Sequence, residues 1–123
     1  MHGPSIIIPT LNEMRRLPET LVRAQSAWPD AEVVVVDGGS TDATLALARR
    51  HGAKVLESAP GRGLQMRAGA KVASREWWLF LHADTWVSAK TARVADRYYR
   101  DSRARLATFR LCFDSEHWVL WWS

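Results

Sequence analysis

Four consecutive valines at positions 33–36, fenced by Glu32 and Asp37, constrain this chain more tightly than any other stretch. A strand with one solvated face alternates apolar with polar residues. A strand with four apolar residues in a row must be covered on both faces, as happens inside a parallel sheet flanked by helices. Residues 5–9 (SIIIP) read the same way and close on Pro9, which has no N–H to give a ladder. Residues 53–57 (AKVLE), 77–82 (WWLFLH) and the alternating 105–113 are predicted to be three further strands.

Helical stretches separate these runs. Asn12 reads as the N-cap of a helix carrying Leu17, Leu21, Val22 and Ala24 on its apolar stripe, broken at Trp28-Pro29-Asp30. Ser40 or Thr41 caps a second helix running to Arg50, residues 64–74 form a third with small residues on one side, and 88–101 form a charged amphipathic fourth. Strand–helix alternation predicts the α/β class: a three-layer, mostly parallel sheet with helices on both faces. At 123 residues it is one domain. Sheets of this type bind ligands beyond the carboxyl ends of their strands, where strand order reverses. The polar residues of interest stand at those ends: 10–13, 37–42 and 82–85.

The net charge of +4 and pI near 9.8 raise the question of nucleic acid. The basic residues are scattered, and aromatic–basic interleaving is confined to the tail, so no nucleic-acid partner is expected. A single cysteine, Cys112, permits neither a disulfide framework nor a zinc site and is expected to be a buried thiol in a reducing compartment. No signal-peptide pattern and no membrane-length apolar run are present, which predicts a cytoplasmic location and no transmembrane segment. Three of the seven tryptophans (Trp118, Trp121 and Trp122) crowd the last six positions. Such a dense apolar tail predicts a homo-oligomer, formed through the tail or through an open sheet edge.

Three segments carry chemistry. In Asp37-Gly38-Gly39-Ser40-Thr41-Asp42, a carboxylate at a strand end precedes two glycines that let backbone approach a ligand; an ordinary βα turn with a capping serine would look the same. In His82-Ala83-Asp84, a carboxylate directly after a buried strand is placed to hold a divalent cation against a diphosphate. In the stretch 61–70 (GRGLQMRAGA), a glycine loop with Arg62 runs into a helix, as a phosphate clamp would. Its letters match neither the dinucleotide fingerprint, since Met66 replaces the third glycine, nor the P-loop.

Taken in order, SIIIPTLNE at 5–13, VVVDGGSTDAT at 34–44 and LFLHADT at 79–85 resemble the family 2 glycosyltransferases of the Rossmann-like GT-A fold. The glycine loop with Gln65 and Gly69-Ala70 is similar to an element of one bacterial subgroup. The resemblance implies a nucleotide-diphospho-sugar donor, an acceptor that the sequence does not name, and Mg²⁺ or Mn²⁺ as cofactor. It implies that Pro9, Asn12 and Glu13 surround the nucleotide, and that Asp37 hydrogen-bonds the base with Gly38 and Gly39 allowing close approach. Arg62, Gln65 and Ala83 would join the donor site, and Asp84 with His82 would hold the metal. His82 replaces the first acid of the family's D-x-D-like motif, leaving the metal position poor in carboxylates, and Arg67 stands where a smaller polar residue is expected. An inverting transfer also needs a general base. The family places that base, with most of the acceptor site, in the second half of its domain. The chain is therefore expected to be an incomplete GT-A domain, with Asp114 and Glu116 as surface carboxylates and no assigned catalytic residue. A non-catalytic nucleotide-sugar-binding module is the alternative.

Overall fold

The structure, a computed structural model, describes residues 3–101, 111–112 and 119–120. Four parallel strands, β1 (Ser5–Thr10), β2 (Glu32–Asp37), β3 (Lys54–Glu57) and β4 (Trp78–Phe80), form a sheet in the order β3-β2-β1-β4. Helices α1 (Leu17–Ala27), α2 (Thr44–Arg50), α3 (Arg62–Val72) and α4 (Ala89–Asp101) connect them.

The valine run explains the layering. Val33 and Val35 join Ile6 and Ile8 on one face, packed beneath Leu17, Leu21 and Ala24 of α1, Ala48 of α2, and Ala92 and Ala95 of α4. Val34 and Val36 join Ile7 on the other face, beneath Ala68 and Ala70 of α3. Every one of these strand residues is buried, which is why no polar residue interrupts the runs. Each fully buried isoleucine or valine contributes about 1.5–3 kcal/mol relative to exposure. The α/β architecture with helices on both faces is as expected.

Several local expectations shift. The first helix begins at Leu17 with Pro18 in its first turn, and Asn12 does not cap it. Its buried face is Leu17, Thr20, Leu21 and Ala24, whereas Val22 is exposed. Thr20, three residues after Leu17, fits the 3.6-residue period that Val22 does not. The second helix begins at Thr44 rather than next to Ser40 or Thr41. The third begins at Arg62, so Arg62 lies in a helical first turn and not in a free loop. The fourth starts at Ala89, where the Ser88 hydroxyl accepts the N–H of Thr91 at 3.1 Å.

Of the strand expected over 105–113, Leu111–Cys112 (β5) is described, and it pairs antiparallel with Val119–Leu120 (β6) instead of extending the four-stranded sheet. In the apolar tail, Val119–Leu120 is thus a strand. Trp118, Trp121, Trp122, Asp114 and Glu116, and the burial of Cys112, lie outside the described residues. Among the described residues no helix is long and apolar enough to cross a membrane.

Candidate functional site

The chain leaves β1 towards β2 and β3 on one side and returns as β4 on the other. The order therefore reverses between β1 and β4, and sheets of this type bind ligands beyond the carboxyl ends of the strands at such a point. A cleft of about 260 Å³ lies there. Its walls are Pro9 and Thr10 at the end of β1 with Leu11 and Glu13 just after it, Gly61, Arg62 and Gln65 at the start of α3, and His82, Ala83 and Asp84 after β4. Seven of the expected site residues thus converge on one cavity: Pro9, Glu13, Arg62, Gln65, His82, Ala83 and Asp84. Asn12, Asp37, Gly38 and Gly39 do not line it.

Asp37 stands outside the cleft lining. Its side chain is fully buried and receives hydrogen bonds from Thr10 Oγ1 (2.9 Å), the N–H groups of Gly39 (3.1 Å) and Ser40 (2.7 Å), and the Ser40 hydroxyl. Four donors occupy the roughly four lone-pair positions of a carboxylate. These four bonds brace the loop after β2 against β1. Burial pushes its pKa up, but the Ser40, Thr10 and Gly39 donors outweigh that and hold it below the usual aspartate value.

Asn12 likewise acts across loops. Its backbone sits in the left-handed region at φ 52, and its Oδ1 accepts the Thr41 N–H at 2.8 Å. The N–H of Asn12 donates to Ser40 Oγ (2.8 Å), that of Glu13 to Thr44 Oγ1 (3.0 Å) and that of Met14 to Asp42 Oδ2 (3.4 Å). The loops after β1 and β2 are stitched into one unit. Neither the Ser40 hydroxyl nor the hydroxyls of Thr10 and Thr44 were legible as site residues. Their only sequence signal is a hydroxyl at a position that the strand or helix period buries, as with Thr10 and Thr44.

Gln65 is 5% exposed and ties three elements together. Its amide donates to the carbonyls of Thr10 (2.9 Å) and Val36 (2.8 Å), and its Oε1 accepts the Gly61 N–H at 3.1 Å. Gly38 lies against it: a Cβ at position 38 would meet Gln65 Cδ and Oε1 at 3.0 Å. Arg62 beside it is exposed, in the first turn of α3, where unpaired N–H groups favour an anion.

Across the cleft, the loop after β4 is held by α1. Thr20 Oγ1 donates to the buried Ala83 carbonyl, and Arg23 lies 4.1 Å over the Trp86 ring. Asp84 is half exposed and faces Arg16 at 3.5 Å, an ion pair worth at most about 1 kcal/mol at such exposure. No group of three or more metal-ligating side chains forms among the described residues. The donor set is therefore no stand-alone cage. It suits a hard cation that keeps several waters and binds through one or two carboxylates plus substrate phosphates.

Parallel strands with a switch-point cleft lined by Arg62 and Asp84 define the class of Rossmann-like α/β domains. Residues 5–122 match the family model described as Glycosyl transferase family 2, and the chain belongs to that family. It is 36% identical over 113 residues to a PGL/p-HBAD biosynthesis glycosyltransferase of Mycobacterium bovis, covering 85% of this chain and 40% of that protein. The chain thus spans 40% of the length of that relative. Its fold matches Staphylococcus aureus TarS 1–349 in complex with UDP, with TM-score 0.66 and 26% identity over 80% of this chain and 32% of that one. It also matches Mycobacterium tuberculosis glucosyl-3-phosphoglycerate synthase in complex with Mn²⁺, UDP and glucosyl-3-phosphoglycerate. That match has TM-score 0.58 and 24% identity over 67% of this chain and 33% of that one, a likeness of fold alone.

Proposed function

We propose that the cleft binds the nucleoside diphosphate part of a nucleotide-sugar donor, with Mg²⁺ or Mn²⁺, for transfer of the sugar to an acceptor. The observation that supports this most is the meeting of Glu13, Arg62 and Asp84 on one cavity at the switch point. Pro9 and Glu13 face the nucleoside, with Glu13 offering a carboxylate to ribose hydroxyls. Arg62 and the first turn of α3 hold the diphosphate, Arg62 through a planar fork suited to phosphate oxygens. Asp84, with His82 beside it, would hold the metal.

The metal, when bound, would neutralise charge developing on the leaving diphosphate. The protein supplies the walls: Ala83 keeps the loop after β4 against α1, and the stitched loops after β1 and β2 fix Glu13. Both carboxylates lining the cleft, Glu13 and Asp84, are assigned to donor binding, so deprotonation of the acceptor hydroxyl is not assigned to any of the described residues.

Calorimetric titration with UDP, with and without Mn²⁺, tests the reading. Binding strengthened by Mn²⁺ and returned to the metal-free level by Asp84→Ala is expected. Failure to bind UDP, GDP or dTDP in either condition overturns it. Incubation with the corresponding nucleotide sugars and Mn²⁺ then separates an enzyme from a binding module, by whether free nucleoside diphosphate is released.

A further inference from the structure

We infer that Gln65 is a positioning residue that seats the Gly61–Arg62 turn, and with it the anion-binding start of α3, in a niche kept open by Gly38. The inference rests on the donor-site reading and deepens it: the diphosphate clamp has a keystone that never touches the ligand.

Gln65 lines the cleft, yet both of its N–H donors are committed to backbone carbonyls, those of Thr10 in β1 and Val36 in β2. Its oxygen already accepts from Gly61. A glutamine bonded to β1, to β2 and to the N-cap of its own helix, 5% exposed, has little left to offer a nucleotide. What it can do is fix position. Gly61 holds φ 142, a conformation that L-residues rarely adopt, so the turn ahead of α3 departs from ordinary backbone and depends on an outside hold. The Gly61 N–H to Gln65 Oε1 bond is that hold, and the two carbonyl bonds anchor it to the strand ends.

Gly38 completes the device. Its backbone φ is outside the left-handed range, so an alanine there meets no backbone penalty. The obstacle is Gln65 itself, whose Cδ, Oε1 and Nε2 lie 3.0, 3.0 and 3.1 Å from where a Cβ would stand. Gly38 is required because the amide head occupies the space in front of it. Residues 38 and 65 therefore form one unit, and Arg62 is the group they aim.

The test compares UDP with uridine on the full chain at fixed Mn²⁺, by calorimetry, for Gln65→Met, Arg62→Ala and the double variant. Gln65→Met keeps length and volume while removing all three bonds. Each single change is expected to weaken UDP binding about tenfold and uridine binding less than about twofold. The double variant is expected to be no weaker than the worse single, because both act on one contact. A Gln65→Met protein with the wild-type ratio of UDP to uridine affinity, even with a lowered Tm, overturns the inference, as do losses that multiply in the double variant. Should Gln65→Met not fold, Gly38→Ala carries the same test by displacing the amide without altering residue 65. If the wild-type chain binds no UDP, the donor-site reading has failed; if it binds UDP and these variants keep the ratio, the positioning role alone has failed.

Discussion

Asn12 Oδ1 accepts the backbone N–H of Thr41 at 2.8 Å across 29 positions of sequence, and Asn12 holds φ 52 to do it. Asparagine is one of the few residues that tolerate this backbone conformation. Asn12→Ala loses the hydrogen bond and leaves a Cβ in a strained backbone, and is expected to cost about 2 kcal/mol. Asn12→Gly relieves the backbone but not the lost bond, so it is expected to cost about half as much. Urea denaturation of the two variants checks the order, and equal losses would show that the backbone is not strained.

Stability is expected to fall steeply in acid. Asp37 is held low by the Ser40, Thr10 and Gly39 donors that outweigh its burial, Glu32 by Ser74, Ser5 and Lys54 against its own desolvation, and Asp42 chiefly by the Thr44 hydroxyl. A depressed carboxylate contributes fully above its unfolded pKa, about pH 4, and that contribution is lost as pH falls through its folded value. Asp37→Asn turns an amide N–H₂ towards groups that are themselves donors. It is expected to cost about 2 kcal/mol or more at pH 7 and much less near pH 2, measured by urea midpoints at the two values.

Gly69 is where α3 meets the sheet. A Cβ there would stand 2.5 Å from Ile7 Cγ2 and 3.0 Å from Val36 Cγ2. Helix propensity alone would favour Gly69→Ala by about 1 kcal/mol. The clash reverses the sign: a net destabilisation of about 1–3 kcal/mol is expected, because two buried strand residues cannot both move aside. Thermal unfolding decides between the two. A raised Tm would mean that α3 shifts outward freely.

The homo-oligomer expected from the apolar tail or an open sheet edge can be tested at β4. Among the described residues this three-residue strand is an edge of the four-stranded sheet, and it exposes Trp78 and Phe80, packed edge-to-face at 6.5 Å. Unpaired edges with large apolar residues invite pairing. Trp78→Lys with Phe80→Lys is expected to lower the mass measured by light scattering at micromolar concentration. A wild-type chain that is already monomeric there would rule out this edge.

The sheet was readable because burial on both faces leaves a sequence mark: the runs at β1 and β2 lie within one residue of where they were expected. The convergence of Pro9, Glu13, Arg62, His82 and Asp84 was readable because each stands at or just past a strand end or opens a helix. What escaped was the use made of side chains between loops. Asn12 and Ser40 have the chemistry of helix caps, and local sequence offers no reason why their partners should lie 28 or 29 positions away. The resemblance implied a base-reading role for Asp37, while the letters of its turn fitted an ordinary βα turn equally well. Its four donors come from Thr10 and from residues 39–40, and only the fold brings Thr10 there.

The stitching of residues 12–14 to residues 40–44 has a kinetic and calorimetric meaning. The two loops are ordered when the chain folds, so a ligand arriving at the cleft freezes little additional backbone. Association is then governed by encounter and not by loop rearrangement. The heat-capacity change on binding should follow the apolar area that the ligand covers, without the excess that accompanies coupled folding. Free and liganded forms should superimpose over both loops to within about 1 Å.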